Sequence, residues 1–88
     1  MIRRRVVAHG RVQGVFFRDS VRRRAESLGV TGWARNRDDG TAEAVFEGED
    51  DAVESMLRYC REGPGRAEVD RLDVSEEEPE GTDSFEIR

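Results

Sequence analysis

The stretch Val30-Thr31-Gly32-Trp33-Ala34-Arg35-Asn36, then Arg37-Asp38-Asp39-Gly40, then Thr41-Ala42-Glu43-Ala44-Val45-Phe46-Glu47 decides the fold. Asp-Gly between two extended runs signals a hairpin. The second run alternates, with Ala42, Ala44 and Phe46 on one face and Glu43, Val45 and Glu47 on the other. Two antiparallel strands therefore occupy the middle of the chain, and what lies on either side of them is helical. Before them, Phe17, Val21, Ala25 and Leu28 recur on one helical face, and Gly29 stands where a helix C-cap is expected. After them, Glu49-Asp50-Asp51 complements a helix N-terminus, and Val53, Met56, Leu57 and Cys60 form the apolar face that Gly63-Pro64-Gly65 ends.

Outside the helices the pattern is extended again. Residues 5–9 are β-branched and end at Gly10, which predicts a first strand. Residues 67–74 predict a fourth, in which Val69 and Leu72 break strict alternation and call for a β-bulge. Residues 75–84 are polar and acidic and read as a solvated loop, and Phe85-Glu86-Ile87 as a final edge strand. The order βαββαβ is that of a ferredoxin-like α+β sandwich, an antiparallel sheet with two helices on one face, as a single domain over residues 1–88. That fold hosts many functions, so function must come from a site. Trp33 and Phe46 are expected to pack against the helices, Cys60 to fill the core as a small apolar group, and His9 to be an ordinary strand residue.

Composition excludes more than it assigns. In 88 residues all fifteen basic side chains are arginine, against twenty carboxylates, for a net charge of −5. Residues 1–37 hold ten arginines and two carboxylates, whereas residues 38–88 hold five and eighteen. Clustered arginine is the footprint of phosphate recognition, but it does not say which phosphate. Nucleic acid is one candidate, and a small phosphate that needs only one or two of those arginines is another. The arginine runs 3–5 and 22–24 read as a solvated rim that at most steers anions. The acidity without lysine points to a GC-rich genome or a salt-rich cytoplasm.

No apolar run reaches the ~18 residues of a membrane helix, and the first residues lack a signal peptide's apolar stretch of about 7–15 residues. The expected setting is the cytoplasm, without membrane contact. One cysteine and one histidine supply neither an internal disulfide nor a zinc set.

Two places carry chemistry. The glycine-punctuated loop Gly10-Arg11-Val12-Gln13-Gly14-Val15-Phe16 joins a strand to a helix N-terminus, where converging N–H groups and the helix dipole form a nest for phosphate. Arg18, just inside the helix, can close its planar fork over the same anion. The competing reading is a tight glycine turn and a surface arginine. Asn36 ends the second strand, and its amide can accept from a water while donating to another oxygen. The competing reading there is an asparagine that stabilises the turn.

The segments Gly10-Arg11-Val12-Gln13-Gly14-Val15-Phe16-Phe17-Arg18 and Gly32-Trp33-Ala34-Arg35-Asn36-Arg37-Asp38-Asp39-Gly40, continuing to Gly48, resemble the two motifs of the acylphosphatases. Gly63-Pro64 and Phe85-Glu86-Ile87 resemble the family too, so the likeness runs over nearly the whole chain. Ala8 and Ala42 depart from it, standing where larger aliphatic residues are usual. The resemblance implies a hydrolase that cleaves the carboxyl–phosphate bond. By the same resemblance Arg18 and the amides of Val12, Gln13, Gly14, Val15, Phe16 and Phe17 hold the phosphate, and Asn36 positions the attacking water. An acyl phosphate expels a carboxylate of pKa about 4.3, which departs without a general acid. The expected protein is a monomer acting on a small acyl phosphate, with no metal, cofactor or nucleic acid. An RNA-binding module of the same fold would need an aromatic pair on a central strand, and the third strand offers one aromatic among carboxylates. An interaction or carbamoyl-transfer accessory module is the third reading.

Overall fold

The computed structural model describes residues 1–88 and follows the order β1 (Ile2–Arg11), α1 (Phe17–Leu28), β2 (Thr31–Asn36), β3 (Ala42–Gly48), α2 (Asp50–Glu62), β4 (Glu68–Glu77) and β5 (Phe85–Ile87). The strands form one sheet in the order β4-β1-β3-β2-β5. Every pairing is antiparallel except that of β2 with the short edge strand β5, which is parallel, so the sheet is mostly antiparallel as the ferredoxin-like pattern predicts, with one parallel pair at its edge. No helix is long and apolar enough to cross a membrane.

Alternation sorts the side chains as the central hairpin requires. Val6, Ala8, Ala34, Ala42, Ala44 and Phe46 face the helices and join Val21, Ala25, Val53, Met56, Leu57 and Cys60 in the buried core. Ala8 and Ala42, the two departures from the family pattern, lie directly opposite each other in the ladder and are fully buried. Helix α1 ends in a left-handed Gly29, with Gly29 N–H donating to Glu26 and Val30 N–H to Ala25, the paired closure of a Schellman motif. The hairpin loop is wider than a two-residue turn. Arg37 N–H donates to Thr41 O, Gly40 N–H donates back to Arg37 O, and the Asp39 carboxylate accepts from the Thr41 hydroxyl and N–H. The expected bulge is present: His9 pairs with Arg71 and Gly10 with Val69, leaving Asp70 over, which lets both Val69 and Leu72 reach the core.

The helix-free face of the sheet departs most from expectation. The arginine run 3–5 is not a solvated rim but part of β1, and Arg3 is only 3% exposed. Arg3 Nη1 donates to Glu47 at 3.1 Å and Nε to Glu77 at 3.0 Å, while Arg5 bridges Glu77 and Glu43. Arg35 also pairs with Glu43. Residues 75–84 are only in part the expected solvated loop: β4 runs on to Glu77, and although residues 78–84 are irregular and mostly exposed, the N–H groups of Glu80, Gly81 and Thr82 all donate to the Glu47 carboxylate. Trp33, expected against the helices, lies on this face instead, roofed by the guanidinium groups of Arg88 at 4.8 Å, Arg5 at 5.5 Å and Arg35 at 6.0 Å. Strand alternation puts it there, beside Arg35, while its neighbour Ala34 takes the core side.

Burial pushes the Glu47 carboxyl up, but the three N–H donors and Arg3 outweigh that and hold it below the usual carboxylate range. Burial opposes Arg35 and Arg5 at Glu43 with the same net direction, and Arg5 and Arg3 lower Glu77. A carboxyl depressed in the folded state contributes stability above its unfolded pKa of about 4.3, and that contribution is lost as pH falls through the folded value. The melting temperature is therefore expected to hold from neutral pH down to about 5 and to fall progressively below about 4.3. Glu47→Gln keeps the shape but removes the charge from a nearly dry site, leaving Arg3 short of a partner. Urea unfolding should show a loss of about 2 kcal/mol; a change within error would mean the carboxylate is not stabilising.

Candidate active site

The loop between β1 and α1 turns twice through the left-handed region. Gly14 has φ 73° and Phe16 has φ 61°, and Phe16 is the only non-glycine residue with positive φ. A bulky side chain in that conformation costs about 1–3 kcal/mol, strain of a kind that collects at functional sites. Gly14 needs no room for a Cβ, since nothing lies within 4 Å of one, so the positive φ is what requires glycine there. Phe16 is the N-cap residue of α1 and provides no side-chain cap, and its ring is 80% exposed.

The consequence is a set of free donors. The main-chain N–H groups of residues 12–16 bond to no acceptor in the chain, and they sit at the positive end of α1. Buried Val12 and Val15 anchor the loop in the core. Gln13 fixes it from the other side, its Nε2 donating to Arg37 O at 2.8 Å and to Thr41 O at 3.0 Å. One side chain thus ties the β1–α1 loop to the hairpin that carries Asn36.

Loop and hairpin together border a cleft of about 430 Å³ lined by Val12, Gly14, Phe16, Phe17, Arg18 and Asn36. Arg18 Nη1 donates to the main-chain oxygen of Arg88 at 3.3 Å, its sole hydrogen bond, so most of its donors are uncommitted. Arg22 borders the same cleft but is paired with Asp19 at 2.8 Å. The Asn36 Oδ1 is the one buried side-chain polar atom without a partner. Such an atom costs about 1–3 kcal/mol unless something absent from the protein chain satisfies it. Of the eight residues singled out from the sequence, six line this cleft; Gln13 is turned to the hairpin and the Val15 side chain inward. The tie made by Gln13 and the strained Phe16 were not legible in advance. His9 and Cys60 both stand away from the cleft. His9 pairs with Asp73 at 2.8 Å on the helix-free face, and burial pushes the Cys60 thiol up to about 12.

Comparison with known proteins agrees over the full length. A family model for acylphosphatase matches residues 4–87. The acylphosphatase of Rubrobacter xylanophilus is 58% identical over 85 residues, covering 96% of this chain and 77% of that protein. The acylphosphatase of Haloarcula marismortui is 54% identical, covering 98% and 94%. The crystal structure of acylphosphatase from Bacillus subtilis superimposes with a TM-score of 0.95 at 36% identity, covering 100% of this chain and 99% of that one. On sequence and fold together, this chain belongs to the acylphosphatase family, hydrolases of acyl phosphates.

Proposed function

We propose that the β1–α1 loop and Arg18 hold the phosphoryl group of an acyl phosphate, and that Asn36 positions the water that attacks it. The observation that carries this reading is the convergence, in one cleft, of uncommitted loop N–H donors, an arginine with free donors and an asparagine with an unsatisfied Oδ1. The loop amides and the Arg18 fork take the non-bridging phosphoryl oxygens, where negative charge must be stabilised through the transfer. The Asn36 amide turns its Oδ1, buried and unpartnered in the free protein, to accept from the water and orients the water's lone pair toward phosphorus. The P–O bond to the acyl oxygen breaks as the bond from water forms, the carboxylate leaves with the electron pair, and the water's protons remain on the product phosphate or pass to solvent. Its low basicity makes a protonated leaving group unnecessary, which accords with a cleft that holds no histidine.

The whole chain acts as the one catalytic domain in this reading, as a cytoplasmic monomer with no nucleic acid partner. The RNA-module alternative loses support from the aromatics. Phe46 is buried and stacked on Phe85, and Trp33 is covered by arginines, which leaves no open pair for bases. The test is hydrolysis of benzoyl phosphate with EDTA present. Turnover that disappears in Arg18→Ala supports the reading, and wild-type turnover no higher than that of the variant overturns it.

A further inference from the structure

The acid-rich second half of the chain neutralises the arginines unevenly. Arg3, Arg4, Arg5, Arg22, Arg23 and Arg35 all have carboxylate partners. Arg11, Arg18, Arg24, Arg58, Arg61 and Arg66 have none, and of these Arg11 and Arg66 stand on one cleft, although Glu68 lies opposite Arg11 in the β1–β4 ladder. Both line a second cleft of about 450 Å³, which shares Gly14 and Phe16 with the first but does not reach Arg18 or Asn36. The exposed Phe16 thus lines both depressions. In-line displacement sends the leaving group away from the incoming water, hence away from Asn36. Asn36 does not line the second cleft.

We propose that this second cleft receives the acyl group, with the Phe16 ring packing against its carbon skeleton and Arg11 and Arg66 selecting acyl groups that carry an anionic substituent of their own. The inference rests on the proposed phosphate site and names its preferred substrate class. Two guanidinium groups without internal partners face an anion at no cost in broken ion pairs. Both are solvent-exposed, so the preference is moderate and falls with ionic strength.

The experiment compares 4-carboxybenzoyl phosphate with benzoyl phosphate, which share the reacting atoms and differ by one distal carboxylate. The wild type is expected to favour the carboxylated substrate about fivefold in kcat/KM, mainly through KM. In Arg11→Gln/Arg66→Gln that ratio should fall to about one, and 0.5 M KCl should shrink it in the wild type. Circular dichroism checks the fold; if the double variant is unfolded, Arg66→Gln alone, in an exposed loop, must lower the ratio. Equal use of both substrates by the wild type, or an unchanged ratio in the folded variant, overturns the subsite while leaving hydrolysis intact. No turnover of either substrate by the wild type would overturn the phosphate-site reading itself.

Discussion

Arg18→Ala is expected to lower kcat/KM for benzoyl phosphate by at least about 10³, with weakened inhibition by inorganic phosphate. The size follows from what the side chain can do and nothing else in the cleft replaces. Loop N–H groups carry partial charge, whereas the guanidinium brings a full one with parallel donors, and hydrogen bonds to ionised groups are about twice as strong as neutral ones. Arg22 is no substitute because Asp19 already occupies it. Arg18→Lys keeps the charge but not the fork, so it should recover only part of the loss. Steady-state kinetics with phosphate as a competitive inhibitor separates the two roles. An alanine variant with near-normal kcat and phosphate affinity would remove Arg18 from the mechanism.

Asn36→Ala should lower kcat by about 10²–10³ with inhibition by phosphate nearly unchanged, the loss typical of one preorganised group at a reacting centre. A group that orients only the nucleophile acts in the transition state and contributes little to binding of the product anion. The variant should also be as stable as the wild type or slightly more so, because it removes a buried oxygen that the folded chain leaves unsatisfied. Lower activity joined to retained stability is a pattern that a purely structural asparagine would not produce. If stability fell and kcat did not, Asn36 would be a turn residue.

The parts of the fold that were legible are those governed by nearby residues. The central hairpin, both helices, the Gly29 cap and the bulge near Asp70 are set by alternation, periodicity and punctuation within a few positions. What was misread depends on partners far along the chain. Arg3 looked solvated because Glu47 and Glu77 lie 44 and 74 residues away. The acidic segment after β4 looked like a loose loop because nothing in it announces that three of its N–H groups close on one distant carboxylate. Trp33 lies away from the helices because its neighbour Ala34 in β2 takes the core side. The candidate site was legible as a pair of short motifs. The left-handed Phe16 and the bridging amide of Gln13 were not, since backbone strain and long-range side-chain bonds leave no periodic trace.

The strand order β4-β1-β3-β2-β5 leaves β4 as the long margin of the sheet, and its ten residues Glu68–Glu77 carry five carboxylates and one arginine. An open margin of unpaired N–H and C=O groups is a template on which another chain can add a strand, the first step of aggregation. Two copies meeting along β4 would line up rows of negative charge. The acidity that balances the arginines inside the fold thus also acts between molecules, guarding the one border that β5 does not cover.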